Sequence, residues 1–348
     1  MSVPRLIAWE ITRRCNYRCK HCRADAGDQS YAGELSTEEC RLLLENIASF
    51  ASPIIILTGG EPMSREDIYE IASYGTSLGL KMVMAPCGSL VTPKSARRLR
   101  ESGIGRISLS IDGVTPETHD SFRGVPGALE TVLRAAGVAR EAGLPFQINS
   151  SIGAFNRQEI AGLLQLAIDL GAVAFHPFLL VPTGRARHLE DQSLSGRDYE
   201  ETLEEIYRLS RAAPIDIKPT CAPQYYRILR EQEAAAGRKV TVETHGREAR
   251  ARGCIGGKSF AFVSHTGRVQ ICGFLEESAG ELRELEWDFR RIWESSELLT
   301  RIRSTPEYGE PCGSCAYVGV CGGCRARAAV QAGSPTAGDP DCNYVNLR

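Results

Sequence analysis

The chain has 348 residues, 43% of them hydrophobic, and a formal net charge of -2. This length exceeds the usual reach of one hydrophobic core, so a large domain followed by a small one is expected, and the near-neutral charge offers no bulk attraction to nucleic acid. No stretch approaches roughly 18 apolar residues, and the first residues are too short and mixed for a leader peptide, which predicts a cytoplasmic protein without membrane contact.

The first strand is predicted at 6–11. Cys15, Cys19 and Cys22 follow it, in a run that also holds Arg13, Arg14, Arg18, Lys20 and Arg23. A helix over 37–49 starts at a Ser36 or Thr37 cap with glutamates in its first turn. A strand at 53–57 then runs into Thr58-Gly59-Gly60-Glu61-Pro62, a helix covers 65–78, and a strand at 80–85 leads to Cys87. The alternation continues with a helix over 93–101, a strand at 106–111 before Asp112, a helix over 127–142, and a strand at 146–150 ending on Asn149 and Ser150. A helix over 157–170, a strand at 172–178 and a helix over 196–212 complete it, with Gly79, Gly103, Gly143 and Gly171 at helix stops.

Such βα repetition with nearly continuous apolar strands predicts an α/β fold with a parallel sheet. A doubly wound open sheet and a partial barrel both fit the periodicity, although the Gly-x-Gly-x-x-Gly fingerprint of a dinucleotide fold is missing. In a barrel-like sheet the residues after each strand share one rim. Here those are the Cys-rich, Gly-rich and polar positions, so the chemistry is expected at one end of the sheet. Residues 213–253 read as a connector containing Lys218-Pro219-Thr220-Cys221-Ala222-Pro223 and a polar helix from Tyr225 to about Ala236. Residues 254–348 lose helical periodicity, gain glycine and cysteine, and contain a hairpin turning at His265-Thr266-Gly267. The expected division is 1–212, 213–253 and 254–348.

Thirteen cysteines in a long chain without an export signal argue for metal ligation rather than disulfides. On a four-iron cluster, Cys15, Cys19 and Cys22 would leave one iron open to a non-protein ligand, whereas structural zinc wants a fourth protein ligand. Cys254, Cys272, Cys312, Cys315, Cys321, Cys324 and Cys342 form a second group. Zinc could take four of them, as the pairs within Cys312 to Cys324 suggest, or iron–sulfur clusters could take all seven as a four-ligand and a three-ligand site. Cys40 is expected to be a buried small hydrophobe and Cys87 a rim residue. Cys221 is a candidate substrate-contacting or redox residue, placed with Cys15, Cys19 and Cys22 in the catalytic set.

On its CxxxCxxC spacing after the first strand, the chain resembles the radical S-adenosylmethionine superfamily. The resemblance implies a partial (β/α)6 TIM-like barrel, a [4Fe-4S] cluster on Cys15, Cys19 and Cys22, and S-adenosyl-L-methionine chelated to the open iron. Thr58 to Pro62 looks like that family's Gly-Gly-Glu-Pro motif, so Gly59, Gly60, Glu61 and Pro62 would meet the methionine amino group. Ser110, Asp112 and Arg123 resemble ribose- and carboxylate-contacting positions, and Asn149 and Ser150 resemble ribose contacts. His21 takes the place of an aromatic residue near adenine, and Arg185 lies in a segment similar to the family's adenine side. The implied chemistry is reduction of the sulfonium to a 5′-deoxyadenosyl radical that takes a hydrogen atom from the substrate, under anaerobic conditions. It implies a low-potential electron donor such as ferredoxin or flavodoxin.

The second cysteine group resembles the SPASM extension, a cysteine-rich iron–sulfur domain. Carried over, Cys312, Cys315, Cys321 and Cys342 hold one auxiliary [4Fe-4S] cluster, and Cys254, Cys272 and Cys324 hold another with an open or substrate-facing iron. Two departures bear on the latter: only two residues separate Cys321 from Cys324, and a further cysteine soon after Cys254 is absent, so one or two auxiliary clusters are implied. Arg5 to Glu10, Lys218 to Pro223, Phe262 to Gly267, Val269 to Phe274 and Phe289 to Trp293 closely resemble the heme-forming radical enzymes of the siroheme-dependent pathway. Their substrate, iron-coproporphyrin III, has two propionates converted to vinyls. Arg13, Arg14, Arg18, Lys20, Arg23, Arg123, Arg185 and Arg187 would suit its carboxylates. Alternatives are the radical enzyme of heme d1 synthesis, a radical peptide maturase, and a non-catalytic metal-binding protein.

Overall fold

The computed structural model describes residues 3–194, 196–304 and 307–344. Its strands are β1 (Leu6–Thr12), β2 (Ile54–Gly59), β3 (Lys81–Met84), β4 (Ile107–Ser110), β5 (Phe146–Ile152), β6 (Ala174–Leu179), β7 (Asp216–Ile217), β8 (Phe260–Val263), β9 (Arg268–Gln270) and β10 (Gly280–Glu281). They form one sheet in the order β10-β9-β8-β1-β2-β3-β4-β5-β6-β7. From β1 to β7 every pairing is parallel. A doubly wound sheet reverses direction after its first strands; here each new strand is added to the same edge. Right-handed crossovers then place the intervening helices on one face. With the usual strand twist this curls the sheet toward a barrel that stays open between β7 and β10, so the topology settles the choice the periodicity left open.

Alternation along the strands sorts the side chains. Ile7, Trp9, Ile55, Leu57, Met82, Met84, Ile107, Leu109, Ile148 and Ile152 are buried in the main core. The other face is polar toward the strand ends. Glu10 pairs with Thr58, Ser110 with Asn149, and Asn149 with His176.

The expected helices are present as Thr37–Phe50, Ile68–Ser77, Pro93–Glu101, Ala128–Glu141, Ile160–Leu170 and Gly196–Ala212. The first is fixed by a reciprocal cap, in which Ser36 Oγ accepts from Glu39 N and Glu39 Oε2 accepts from Ser36 N. Sequence reading missed Pro116–Arg123, whose eight residues are too few for periodicity to show. Thr115 caps it and Gly124, at φ 69°, ends it. The short helices Phe289–Ser295, Glu297–Arg303 and Arg325–Ala332 escaped for the same reason.

The expected hairpin is β8–β9, paired antiparallel around 265–267. β8 also lies parallel to β1, from Leu6 opposite Phe260 to Trp9 opposite Val263. Residues beyond the connector therefore extend the barrel sheet itself. Within the connector, Thr220 bridges to Phe178 on β6 and the helix Tyr225–Ala235 follows. Among the described residues, no helix is long and apolar enough to cross a membrane.

Candidate active site and metal centres

Cys15, Cys19 and Cys22 lie on the loop that leaves β1. The loop is closed at its base, where Cys15 N donates to Gly27 O at 2.7 Å. The three thiols share an apolar pocket with Tyr17, Ala24, Ala26, Ala128, Val125 and Cys87. Tyr17 N donates to Cys15 Sγ and Ala26 N to Cys22 Sγ, both at 3.4 Å, and Arg123 Nη1 points at Cys19 Sγ from 3.8 Å. Burial pushes the Cys15 thiol up to about 12, with the charges of Glu61, Cys19 and Cys22 adding to it. Burial also raises Cys19, against the pull of Arg123. In so apolar a place, with N–H groups turned toward two of the sulfurs, thiolates would be stable only with a cation to balance them.

The turn after β2 lies directly on this loop. A Cβ at Gly59, whose φ is 138°, would stand 2.0 Å from Thr12 O, and one at Gly60 would stand 2.2 Å from Arg14 O. Gly60 N and Glu61 N donate to those same carbonyls at 2.9 and 2.8 Å. The glycine pair therefore serves first to seat β2 against the cysteine loop, a use its sequence did not reveal. Glu61 is fully buried. Its oxygens accept from Met63 N at 2.9 Å and Cys87 N at 2.6 Å, which ties Cys87 to the rim. Cys40, by contrast, is buried inside its helix as expected.

His21 stacks on Phe122 with ring centroids 4.3 Å apart, and Phe122 stacks on Phe155 at 3.9 Å. Burial, with Arg123 and Arg185 nearby, lowers the His21 pKa well below the usual value, so the ring is neutral. Asp112 is fully buried and faces Arg123 Nη2 across 2.6 Å, and its other oxygen accepts from Ser151 N at 2.7 Å. Arg185 Nε donates to Cys19 O, and its Nη1 donates to Ala26 O and Asp25 Oδ1, each at 2.8 Å. It thus clamps the cysteine loop by its carbonyls. Among the described residues, His21 Nδ1, Asp112 Oδ2, Arg123 Nε and Arg185 Nη2 are buried without a hydrogen bond, the Arg123–Asp112 ion pair being out of alignment. Three polar atoms without a partner, and an Asp112 oxygen held by its ion pair alone, fit a charged, multifunctional ligand beside the three thiols.

Two sets of expected residues are divided by the geometry. Asn149 and Ser150 cannot both present side chains to one ligand, because adjacent strand residues face opposite ways. Ser150 is fully buried and its Oγ donates to Ile111 O, bracing β5 against β4. Asn149 faces the polar side with Ser110 opposite it, and accepts from Gln147 Nε2 at 2.9 Å. The basic patch is also largely neutralised within the chain. Arg14 pairs with Asp28, Arg123 with Asp112, Arg185 with Asp25 and Arg187 with Glu276. Arg13 and Arg23 both pair with the fully buried Glu10, which also meets His265 Nδ1. Glu10 is a functional residue that sequence reasoning missed; its one signal is a lone charge in the otherwise apolar strand β1.

The second cysteine group divides in two. Cys312, Cys315, Cys321 and Cys342 line one cavity with Tyr317, Gly322 and Gly323. Tyr317 N donates to Cys315 Sγ at 3.4 Å, Gly323 N to Cys321 Sγ at 3.5 Å, and Asp339 N to Cys312 Sγ at 3.4 Å. Cys324 is turned away from them and packs with Cys221 and Cys272 around Val181. Cys312, Cys315, Cys321 and Cys342 are thus grouped apart from Cys324. Among the described residues, no three potential ligands surround a single ion position.

The chain belongs to the radical SAM superfamily, whose family description matches residues 9–167. It is accordingly an enzyme that uses S-adenosylmethionine and a [4Fe-4S] cluster. The AdoMet-dependent heme synthase of Nitratidesulfovibrio vulgaris is 47% identical over 344 residues, spanning 99% of this chain and 93% of that protein. The pre-heme d1 synthase of Dinoroseobacter shibae is 29% identical over 350 residues, spanning 97% and 85%. The crystal structure of Streptococcus suis SuiB bound to S-adenosylmethionine matches with a TM-score of 0.72 at 18% identity, over 97% of this chain and 76% of that one, which is a likeness of fold.

Proposed function

We propose that this enzyme converts two propionates of iron-coproporphyrin III to vinyls with release of carbon dioxide, forming heme b. The observation that carries the reading is 47% identity to a heme synthase across nearly the whole chain, against 29% to the pre-heme d1 synthase. Cys15, Cys19 and Cys22 would hold the radical cluster. The buried polar groups of His21, Asp112, Arg123 and Arg185 would receive S-adenosylmethionine, with Gly59 to Pro62, Ser110 and Asn149 beside it. Bound there, the two together supply a carbon-centred radical able to take a hydrogen atom from an unactivated C–H bond.

The chain's own work is to position and to shield. Tyr17, Ala24, Ala26 and Ala128 wall the thiols from water, Arg123 holds Cys19, and Arg185 fixes the loop. Each vinyl requires loss of a hydrogen atom from the propionate β-carbon, departure of the carboxylate as carbon dioxide, and removal of one electron. Cys312, Cys315, Cys321 and Cys342 would hold an auxiliary [4Fe-4S] cluster, and Cys254, Cys272 and Cys324 would serve a second, as acceptors for that electron. A ferredoxin or flavodoxin would reduce the first centre.

Anaerobic incubation with iron-coproporphyrin III, S-adenosylmethionine and a reductant tests this. Loss of two CO2 and four hydrogens from the porphyrin is expected. An unchanged porphyrin alongside turnover of didecarboxysiroheme would replace the reading with the heme d1 branch.

A further inference from the structure

Cys221 stands apart from the catalytic trio with which its chemistry first grouped it. It lies at the end of the connector segment that Thr220 straps to β6, through Thr220 N to Pro177 O at 2.8 Å and Leu179 N to Thr220 O at 3.0 Å. Cys221 and Cys272 both pack against the small cluster of Val181, Cys324 and Ala326. Cys254 is drawn to the same place. An added Cβ at Gly256 would sit 3.6 Å from Cys254 Sγ and 3.1 Å from Ile271 O, the residue before Cys272.

The placement of Cys221 is costly and well secured. Its φ is 56°, a left-handed value that a residue with a Cβ seldom adopts. Its carbonyl accepts from Arg327 Nη1 at 2.9 Å and from Tyr199 OH at 3.4 Å. Arg327 is fully buried and pairs with Asp339 at 3.1 Å. The same Asp339 carboxylate accepts from Cys324 N at 2.6 Å and from Gln224 Nε2 at 2.8 Å. One buried Arg–Asp pair therefore grips the backbone on both sides, at Cys221 and at Cys324, and holds the two thiols together. Cys324 is also the N-cap residue of the helix Arg325–Ala332, which fixes its backbone.

We infer that Cys221 is the fourth ligand of the auxiliary cluster on Cys254, Cys272 and Cys324, so that this cluster is closed rather than open to substrate. The inference rests on the proposed presence of that cluster. Ligation is an exchange without electron transfer: the Cys221 thiol gives its proton to solvent, an Fe–S bond forms, and a water or hydroxide leaves the iron. The missing cysteine soon after Cys254 is thereby replaced from a distant part of the chain. A cluster closed in this way would accept an electron without offering an iron to a propionate.

The test uses the full chain, reconstituted anaerobically. Retention of the spectral change that S-adenosylmethionine induces at the first cluster shows that the Cys221→Ala variant is folded. Cyanide, as a probe of open iron, is added in a Cys15→Ala, Cys19→Ala, Cys22→Ala background, which removes the site expected to be open. With Cys221 present, the reduced clusters' EPR spectrum should be unmoved by cyanide. With Cys221→Ala it should respond, or an oxidised three-iron signal should appear as one iron is lost. Cys221→Ser should keep the four-iron form at a shifted potential. A cyanide response with Cys221 intact, or identical spectra and potentials in Cys221→Ala, would overturn the inference. If the wild-type chain held only about eight irons and Cys272→Ala changed no spectrum, the cluster itself would be absent and the inference would fall with it.

Discussion

Glu10 on β1 and His265 at the tip of the β8–β9 hairpin, 255 residues apart, meet at 2.8 Å. Arg13 and Arg23, on either side of Cys15, close on the same carboxylate at 3.1 and 2.8 Å. Arg23 also lies over Phe262 on β8, 4.4 Å from the ring centroid. One buried acid thus joins the first strand, the cysteine loop and the hairpin that leads to Cys272.

Burial would raise the Glu10 pKa, but Arg23, His265 and Arg13 hold it at about 2. A folded value below the ordinary 4.5 gives stabilisation that is complete above pH 4.5 and is lost as pH falls toward 2. Its size is about 3 kcal/mol. Glu10→Gln should therefore lower unfolding stability by about that much at pH 7, and the gap from wild type should narrow in denaturant titrations below pH 4.5. A gap that does not change with pH would refute the ionic account.

Gly60→Ala places a methyl group against the Arg14 carbonyl, which is backbone and cannot swing aside. A loss of about 1–3 kcal/mol is expected from this overpacking. Because the displaced backbone carries Cys15, iron bound per chain should fall as well, measured after anaerobic reconstitution.

Arg123→Ala leaves Asp112 charged and buried without its partner, at a cost of about 3–5 kcal/mol. The double variant with Asp112→Asn should recover much of the thermal stability, since the pair is coupled. Neither variant should recover cleavage of S-adenosylmethionine, because Cys19 loses its guanidinium neighbour in both.

Cys15→Ala, Cys19→Ala or Cys22→Ala should abolish formation of 5′-deoxyadenosine. Each should remove about four irons per chain and leave the remaining clusters' spectra in place. Persistence of the nucleoside product would contradict the assignment of these ligands.

The barrel strands and most helices were legible because each is long enough to show a period or carries its own stop signal, as Gly171 does after Ile160–Leu170. Pro116–Arg123 was not, being two turns long, although it delivers Phe122 and Arg123 to the site. The cysteine triplet was legible because its members are local. The partners of Glu10 and Cys221 were not, since they arrive from 255 and about 100 residues away and no spacing rule reports them, although Cys221 itself stood out as a candidate. The exchange of faces between Asn149 and Ser150 followed from alternation and could have been anticipated.

The parallel pairing of β8 with β1 carries a consequence for dissecting the molecule. A fragment ending before Phe260 would leave one whole flank of β1 with unsatisfied N–H and C=O groups, a ready template for another chain to add to. Such a fragment would be prone to aggregate. The C-terminal region is thus a chaperone-like cover for the strand that introduces the radical chemistry, and the two are best produced as a single polypeptide.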